Sequence, residues 1–225
     1  MKRIDLNVDI GEGYPNDFEL IRIATSANIC CGEHAGSRDL TLRTIQMCRD
    51  MGVRMGAHPG YPDRASMGRA PVRSSDWEAV AQSIEEQVER MLDAGACDYV
   101  KPHGSFYNDS VDEGPAAALV ETILLKHRIA LLGLADTCHE VAAHTAAVPF
   151  AREGFADRAY TEDGRLVPRS RPGAVLTLAA DVRAQALRLA PNVDSICLHG
   201  DTDGCVEFAA MLRGALEQAG FEVGL

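Results

Sequence analysis

Short apolar runs rich in β-branched residues alternate with longer helix-period segments from one end of the chain to the other, and this order restricts the fold more than any other feature. The strand-like runs are "RIDLNVD", "ANICC", "RMGAH", "YVKPH", "IALLGL", "AVPFA", "GAVLTL" and "DSICLHG", the sixth and seventh having the weakest patterns. Between them "SRDLTLRTIQMCRDMG", "SSDWEAVAQSIEEQVERMLDAG", "GPAAALVETILLKH", "ADTCHEVAAHTA", "AADVRAQALRLA" and "CVEFAAMLRGALEQAG" place apolar residues at helical spacing, several ending on Gly. Strands alternating with helices predict an α/β fold: a parallel sheet covered by helices, closed into a barrel or open and doubly wound. No G-x-G-x-x-G follows a strand and no G-x-x-x-x-G-K-[ST] occurs, which favours the barrel. One stretch, "REGFADRAYTEDGRLVPRSRPG", reads as a long irregular excursion, and a loop of that length in a compact unit usually serves function.

With 225 residues, 46% of them hydrophobic, the chain is expected to form one domain over residues 1–225. A formal charge of −11 argues against general nucleic-acid binding, although a local arginine cluster can still hold an anion. Seven irregularly spaced cysteines fit buried thiols in a reducing compartment, and "CC" at Cys30 and Cys31 is not a C-x-x-C zinc pair. No apolar run is long enough to span a bilayer, and "MKRIDLNVDIGEG" meets acids too early for a signal peptide. The expected location is the cytoplasm.

The polar residues collect at the C-terminal ends of the predicted strands. "LNVDIGEG" supplies Asn7, Asp9 and Glu12; "NICCGEHAG" supplies Asn28, Glu33 and His34; "MGAHPGYPD" supplies His58 and Asp63. "VKPHGSFYN" adds Lys101, His103, Tyr107 and Asn108, and "ICLHGD" adds His199 and Asp201. In a parallel α/β fold these ends open onto one face, where such folds place ligand sites. A lone strand-end histidine more often caps a turn than catalyses; four of the seven histidines gathered at strand ends ask for more. His127, His139 and His144 fall in predicted helices and read as surface or packing residues. In the excursion, Asp157 and Arg158 are either a loop ion pair or part of the site, and Arg169 or Arg171 is either solvated or an anion ligand.

Carboxylates, imidazoles and one ammonium around a common mouth suit hydrolysis of an amide-like bond, which needs a base for water, donors for the oxyanion and an acid for nitrogen. The chain has only three lysines, and Lys101 ends an apolar run two residues before His103. Alternation puts both on one strand face, where like charge is expected to lower both pKa values. A divalent metal held by His and Asp is the rival organiser, though no H-E-x-x-H spacing occurs.

"DLNVDIGEG", "SANICCGEHAG", "GAHPGYPD", "VKPHGSFYN", "GFADRAYTEDGRLVPRS" and "ICLHGD", in that order, resemble the motifs of the LamB/YcsF family, the A subunits of bacterial ATP-dependent 5-oxoprolinase. The resemblance implies an irregular seven-stranded (β/α) barrel of the glycoside hydrolase/deacetylase type. It also implies opening of the lactam 5-oxo-L-proline, or a related one, to its amino acid, with ATP as cosubstrate and B and C subunits as partners. On that reading Asp9, His58, Asp63, Lys101 and His103 are the catalytic candidates, with Lys101 neutralising phosphoryl or carboxylate oxygens. Asn7, Glu12, Asn28, His34, Tyr107, Asn108, Asp157, Arg158, Arg169, His199 and Asp201 are the substrate-binding candidates.

The chain departs from the family pattern at Glu33, where an aromatic is usual, at Ser37 and Arg38 in place of Asp-Pro, and at Ala70 in place of a basic residue. The piece between "PRSRPGAV" and "DSICLHGD" is also shorter. An acid at position 33 is expected to alter the charge of the pocket floor. Two further readings are a metal-dependent deacetylase-like amide hydrolase acting without ATP, and a non-catalytic subunit holding a small acid; a homo-oligomer is open to every one of these readings.

Overall fold

Along the first strand, β1 (Lys2–Ile10), Ile4, Leu6, Val8 and Ile10 alternate with Asp5, Asn7 and Asp9, and all seven are buried. Both faces of the strand are therefore enclosed, the even residues by helices and the odd ones by other strands. The computed structural model describes residues 1–224 and accounts for this pattern.

The strands β1, β2 (Ser26–Cys30), β3 (Arg54–His58), β4 (Tyr99–Val100), β5 (Ala130–Gly133), β6 (Phe150–Phe155) and β7 (Ser195–His199) are parallel neighbours in chain order, and β7 returns to β1. The result is a closed seven-stranded parallel barrel. An eighth short strand, β8 (Phe221–Val223), pairs with Lys2–Ile4 at the N-terminal end of β1. Between strands run α1 (Asp17–Ile21), α2 (Arg38–Met51), α3 (Trp77–Asp93), α4 (Gly104–Asp109), α5 (Pro115–His127), α6 (Cys138–Thr145), α7 (Ala179–Leu189) and α8 (Cys205–Gln218).

The apolar core lies between the barrel and its helices. Ile4, Leu6, Val8, Ile29, Leu131, Ile196 and Leu198 face Ile45, Ile84, Val88, Ile123, Leu124, Leu212 and Leu216 across that layer. The barrel's own interior is polar. Asp9 stands level with Asn28 and His199, Asn28 with Gly56, and Gly56 with Tyr99, so one layer carries most of the chemistry. A Cβ on Gly56 would sit 2.3 Å from the Tyr99 ring, so glycine there leaves the space Tyr99 needs to reach Asn28 with its hydroxyl, 2.7 Å away.

Several expectations are corrected. "GAVLTL" is not a strand; Val175 makes only an isolated antiparallel bridge to Arg158. The strand expected at "AVPFA" begins at Phe150 and runs through "REGF", so the irregular excursion starts after Phe155. In "YVKPH" only Tyr99 and Val100 form a strand, because Pro102 lacks an N–H; Lys101 and His103 still bond the carbonyls of Ala57 and Pro59 at 3.0 and 2.8 Å. The short helices α1 and α4 and the strand β8 were not legible as periodic patterns.

His139, in α6, is wholly buried against Tyr107 and behaves as a packing residue. Its Nδ1 accepts from the Leu134 N–H at 3.2 Å, so the hydrogen is on Nε2 and is donated to Ser110 Oγ at 2.8 Å. Burial, helped by Arg165, pushes its pKa down to about 3 from 6.5. The unfolded chain therefore takes up a proton below pH 6.5 that the folded one refuses until about pH 3, and stability from this group is lost progressively across that window. Between pH 7 and pH 5 His139 should remove about 2 kcal/mol of stability. In urea unfolding, His139→Asn should be weaker at pH 7 yet change less over this range; an unchanged pH slope would refute the assignment.

Candidate active site

The strand ends open into a cavity of about 460 Å³ whose lining includes Asp9, His58, Arg69, Lys101, His103, Tyr107, Asn108, Phe155, Arg158, Arg169 and His199. At its floor, Lys101 is 1% exposed and its ammonium is fully engaged. It lies 2.7 Å from Asp9 Oδ1, 2.9 Å from Glu153 Oε1 and 3.0 Å from Cys197 Sγ. Burial alone would lower the Lys101 pKa, but Asp9, Cys197 and Glu153 hold it well above the usual lysine range. The expected mutual lowering with His103 is therefore corrected for the lysine: two carboxylates outweigh any neighbouring imidazole. Burial would likewise raise Asp9, but His58 and Lys101 hold it well below the usual carboxylate range.

Asp9 Oδ1 is shared between Lys101 and the Asn28 amide, 2.7 Å away, which leaves Oδ2 for the cavity. Oδ2 lies 3.3 Å from His58 Nε2 and 3.7 Å from His199 Nε2. Backbone carbonyls settle the tautomers here, since a carbonyl oxygen only accepts. His58 Nδ1 is 2.8 Å from Lys101 O and so carries a hydrogen. His103 Nε2 is 2.9 Å from Met67 O and carries one too. The remaining nitrogens, His58 Nε2 and His103 Nδ1, face each other at 3.0 Å with their lone pairs. Two lone pairs at that distance repel unless a cation, proton or metal, lies between them.

Behind this pair, Glu12 Oε1 lies 3.4 Å from His103 Nδ1 and 3.5 Å from His34 Nε2, and the His34 ring stacks on His103 with centroids 3.9 Å apart. Burial opposes protonation of His34, but Cys30 and Glu12 beside it raise it to about 9. His103 is held well below the usual histidine range by burial and by the charges of His34 and His58. A Cβ on Gly60 would meet His34 Nδ1 at 2.6 Å, so glycine admits the stacked rings, and Gln87 of α3 bonds both the N–H and the C=O of Gly60, at 3.0 and 2.9 Å. On the opposite wall His199 Nδ1 donates to Asp157 at 2.8 Å, which presents Nε2 to the cavity. Burial would raise Asp157, but His199 and Thr202 keep it lowered.

The residues present fit a divalent cation. Asp9, His58 and His103 offer ligand atoms within 4.8 Å of one another, as do Asp9, Cys197 and His199, and Glu12, His34 and His103. Carbonyl bonds to the outer ring nitrogens are the usual support for metal-binding histidines. The first group is the best suited, because its inward lone pairs have no hydrogen to satisfy them.

Of the sequence candidates, Asp9, His58, Lys101, His103, Tyr107, Asn108, Arg158, Arg169 and His199 line the cavity. Asn7, Glu12, Asn28, His34 and Asp157 support that lining from behind, and Asp201 sits at the rim, 2.8 Å from Arg69 and 3.0 Å from Arg169. Asp63 is not brought to the cluster; it bonds Ser66 in the turn outside the cavity. Asp157 and Arg158 are not a loop ion pair, since Asp157 serves His199 and Thr202. Glu33 is not on the pocket floor: it points outward to Arg90 of α3, at 2.8 Å. Glu153 and Arg69 escaped sequence reading. Glu153 was hidden in the supposed excursion, although an acid two residues before Phe155 in a buried strand is a recognisable signal.

A profile of the LamB/YcsF family matches residues 4–224. The chain belongs to that family. It is 37% identical over 243 residues to the A subunit of 5-oxoprolinase from Histophilus somni strain 129Pt, covering 99% of this chain and 98% of the relative. The crystal structure of a lactam utilization protein from Thermus thermophilus superposes with a TM-score of 0.84 at 30% identity, over 99% of each chain. The LamB/YcsF barrel is also of the deacetylase type: the structure of T48 deacetylase with substrate superposes with a TM-score of 0.52 at 15% identity, over 99% of this chain and 87% of the other, a likeness of fold alone. No helix among the described residues is long and apolar enough to cross a membrane.

Replacing Lys101 by Met leaves Asp9 and Glu153 buried without their cation, so unfolding free energy in urea should fall by about 3–5 kcal/mol. Adding Glu153→Gln should return part of that loss. Equal losses in the single and double variants would show that the ion cluster is not its source.

Proposed function

We propose that this chain is the A subunit of an ATP-dependent 5-oxoprolinase, which opens 5-oxo-L-proline to L-glutamate together with B and C partner subunits. The observation that carries this reading is the pair of carbonyl-oriented imidazoles beside Asp9 on the floor of the cavity, in a family whose relatives carry that subunit's name. Water addition to an amide carbon needs a base with a nitrogen lone pair aimed into the site, as these rings are oriented to provide.

An unstrained lactam resists water because its nitrogen delocalises into the carbonyl. Transfer of the γ-phosphoryl group of ATP to the lactam oxygen removes that protection and releases ADP. Water then adds to the ring carbon, giving its proton to His103 Nδ1 or His58 Nε2. Asp9 Oδ2, 3.3 Å from His58 Nε2, stabilises the imidazolium so formed. As the carbon–nitrogen bond breaks, the ring nitrogen takes that proton from the imidazolium, while His199, held in orientation by Asp157, faces the ligand with Nε2. The acyl phosphate left behind yields glutamate and phosphate to a second water. Lys101, with its hydrogens committed inward, keeps Asp9 ionised in place of touching the ligand. ATP handling falls to the assembled complex, in which this chain supplies the hydrolytic cavity.

The test is glutamate release from 5-oxo-L-proline by the purified chain with candidate B and C subunits, with and without ATP. ATP-dependent release that needs this chain is expected, and His103→Ala should lower kcat by roughly 10²–10⁴-fold. No release, with the partners shown competent beside another family member, would overturn the reading.

A second reading, a metal-dependent amide hydrolase, is favoured by the facing lone pairs of His58 and His103. Bound by Asp9, His58 and His103, a divalent cation would supply Lewis acidity toward a carbonyl oxygen or water. Chelator-treated protein titrated with Zn²⁺ by calorimetry should then show one tight site that disappears in His58→Gln. Absence of a site in the wild-type chain would leave a shared proton as the cation between the rings.

A further inference from the structure

Among the cations lining the cavity, Arg158 alone makes no ion pair among the described residues. Lys101 has Asp9 and Glu153, while Arg69 and Arg169 share Asp201. Arg158 is 4% exposed, and its partners are neutral: Nε donates to Ala174 O at 3.2 Å and Nη2 to Val167 O at 2.6 Å. The adjacent Asp157 turns away to His199 and Thr202. Phe155, Leu166 and Pro168 complete that wall of the cavity. The two carbonyls hold the guanidinium in place while Nη1 has no acceptor among the described residues. A fixed, buried cation without an ion-pair partner, beside an open cavity, is the arrangement that a ligand anion completes.

We propose that Arg158 forms a carboxylate subsite that selects substrates bearing a single acid group beside the amide to be cleaved. The assignment rests on the amide-hydrolase reading above and adds how its substrate is recognised. A lone carboxylate matches the one guanidinium that has no carboxylate partner, whereas a triphosphate brings several charges to a wall whose other two arginines already share Asp201. Burial and the nearby charge of Arg169 lower the Arg158 pKa to about 10 against the opposing pull of Asp157, and it remains protonated at neutral pH.

The experiment is calorimetric binding to the full-length chain of 5-oxo-L-proline, its neutral carboxamide and ATP, in wild type, Arg158→Gln and Arg158→Lys. Wild type should prefer the acid over the carboxamide by roughly 10- to 100-fold, the worth of one charge-assisted hydrogen bond. Arg158→Gln should erase that preference while carboxamide binding persists, which also reports a folded site. Arg158→Lys should lose most of it, because an ammonium cannot keep both carbonyl bonds, and it decides the matter if the glutamine variant is unstable. A preference that survives both substitutions overturns the subsite and leaves the lactam reading standing. Loss of ATP binding in place of acid binding also overturns it, assigning Arg158 to phosphoryl groups. If wild type binds neither lactam, a panel of short monocarboxylic acids and their carboxamides decides: an Arg158-dependent preference keeps the subsite and removes the lactam reading, and no preference for any acid overturns the subsite.

Discussion

A lysine between two carboxylates inside the barrel is the interaction on which the rest of this structure depends. Asp9 and Glu153 come from strands on opposite sides of β7, and the Lys101 ammonium between them is the cation that these two buried carboxyl groups share. The barrel's interior layers are commonly filled with branched apolar side chains, which need no partners. Here the inward positions of β1 are Asp5, Asn7 and Asp9, and each is matched. Asn28 donates to Asn7 and Asp9, Asn7 donates to Ser195, and Asp5 accepts from Ser26 and Ser195. A satisfied polar column is stiff, because each member has one set of partners. The apolar layer outside the barrel carries the burial, and the column fixes where Asp9 points.

The same lysine links charge to tautomer. Its ammonium fixes Asp9 Oδ1, and its backbone carbonyl, released from the strand ladder ahead of Pro102, accepts the Nδ1 hydrogen of His58. His58 thus turns its lone pair toward Asp9 and His103 because of where residue 101 sits. The matching restraint on His103 comes from Met67, a non-glycine residue in the left-handed region at φ 53°, whose carbonyl meets Nε2. Left-handed backbone at a bulky residue carries strain, and it is tolerated here beside Asp63, whose bonds to Ser66 and to Gly68 N–H close the turn. Asp63 therefore shapes the loop that orients a histidine, at one remove from the cluster.

Much of this was readable in the sequence because strand order and strand-end polarity are local patterns. "LNVD", "GAHPG" and "VKPHG" announce their own strand ends, and in a parallel barrel all ends share one face. What was not legible depends on which way a side chain turns after the strand stops. Glu33, one residue before His34, bonds Arg90 on the outside while His34 lies inside, a difference of one position in a bend. Glu153 lay hidden because a strand of alternating charge and glycine, "AREGF", looks like loop. The sign of the Lys101 shift followed from this omission: the lysine's neighbour in sequence is His103, but its neighbours in space are Asp9 and Glu153.

The distribution of charge along the barrel axis orders these parts into a path. The chain as a whole carries −11, so a small anion meets repulsion over most of its surface. At the mouth Arg69, Arg158 and Arg169 outnumber Asp201, and with screening lengths near 8 Å at physiological salt this local excess governs the approach. Deeper in, the balance reverses, since Asp9 and Glu153 exceed the one lysine between them. On the proposed reading the carboxylate of the substrate stays at the arginine wall, while its amide end reaches the imidazoles. The order of charges, cationic outside and anionic inside, would present a substrate with its acid end outward and its amide end toward His58 and His103.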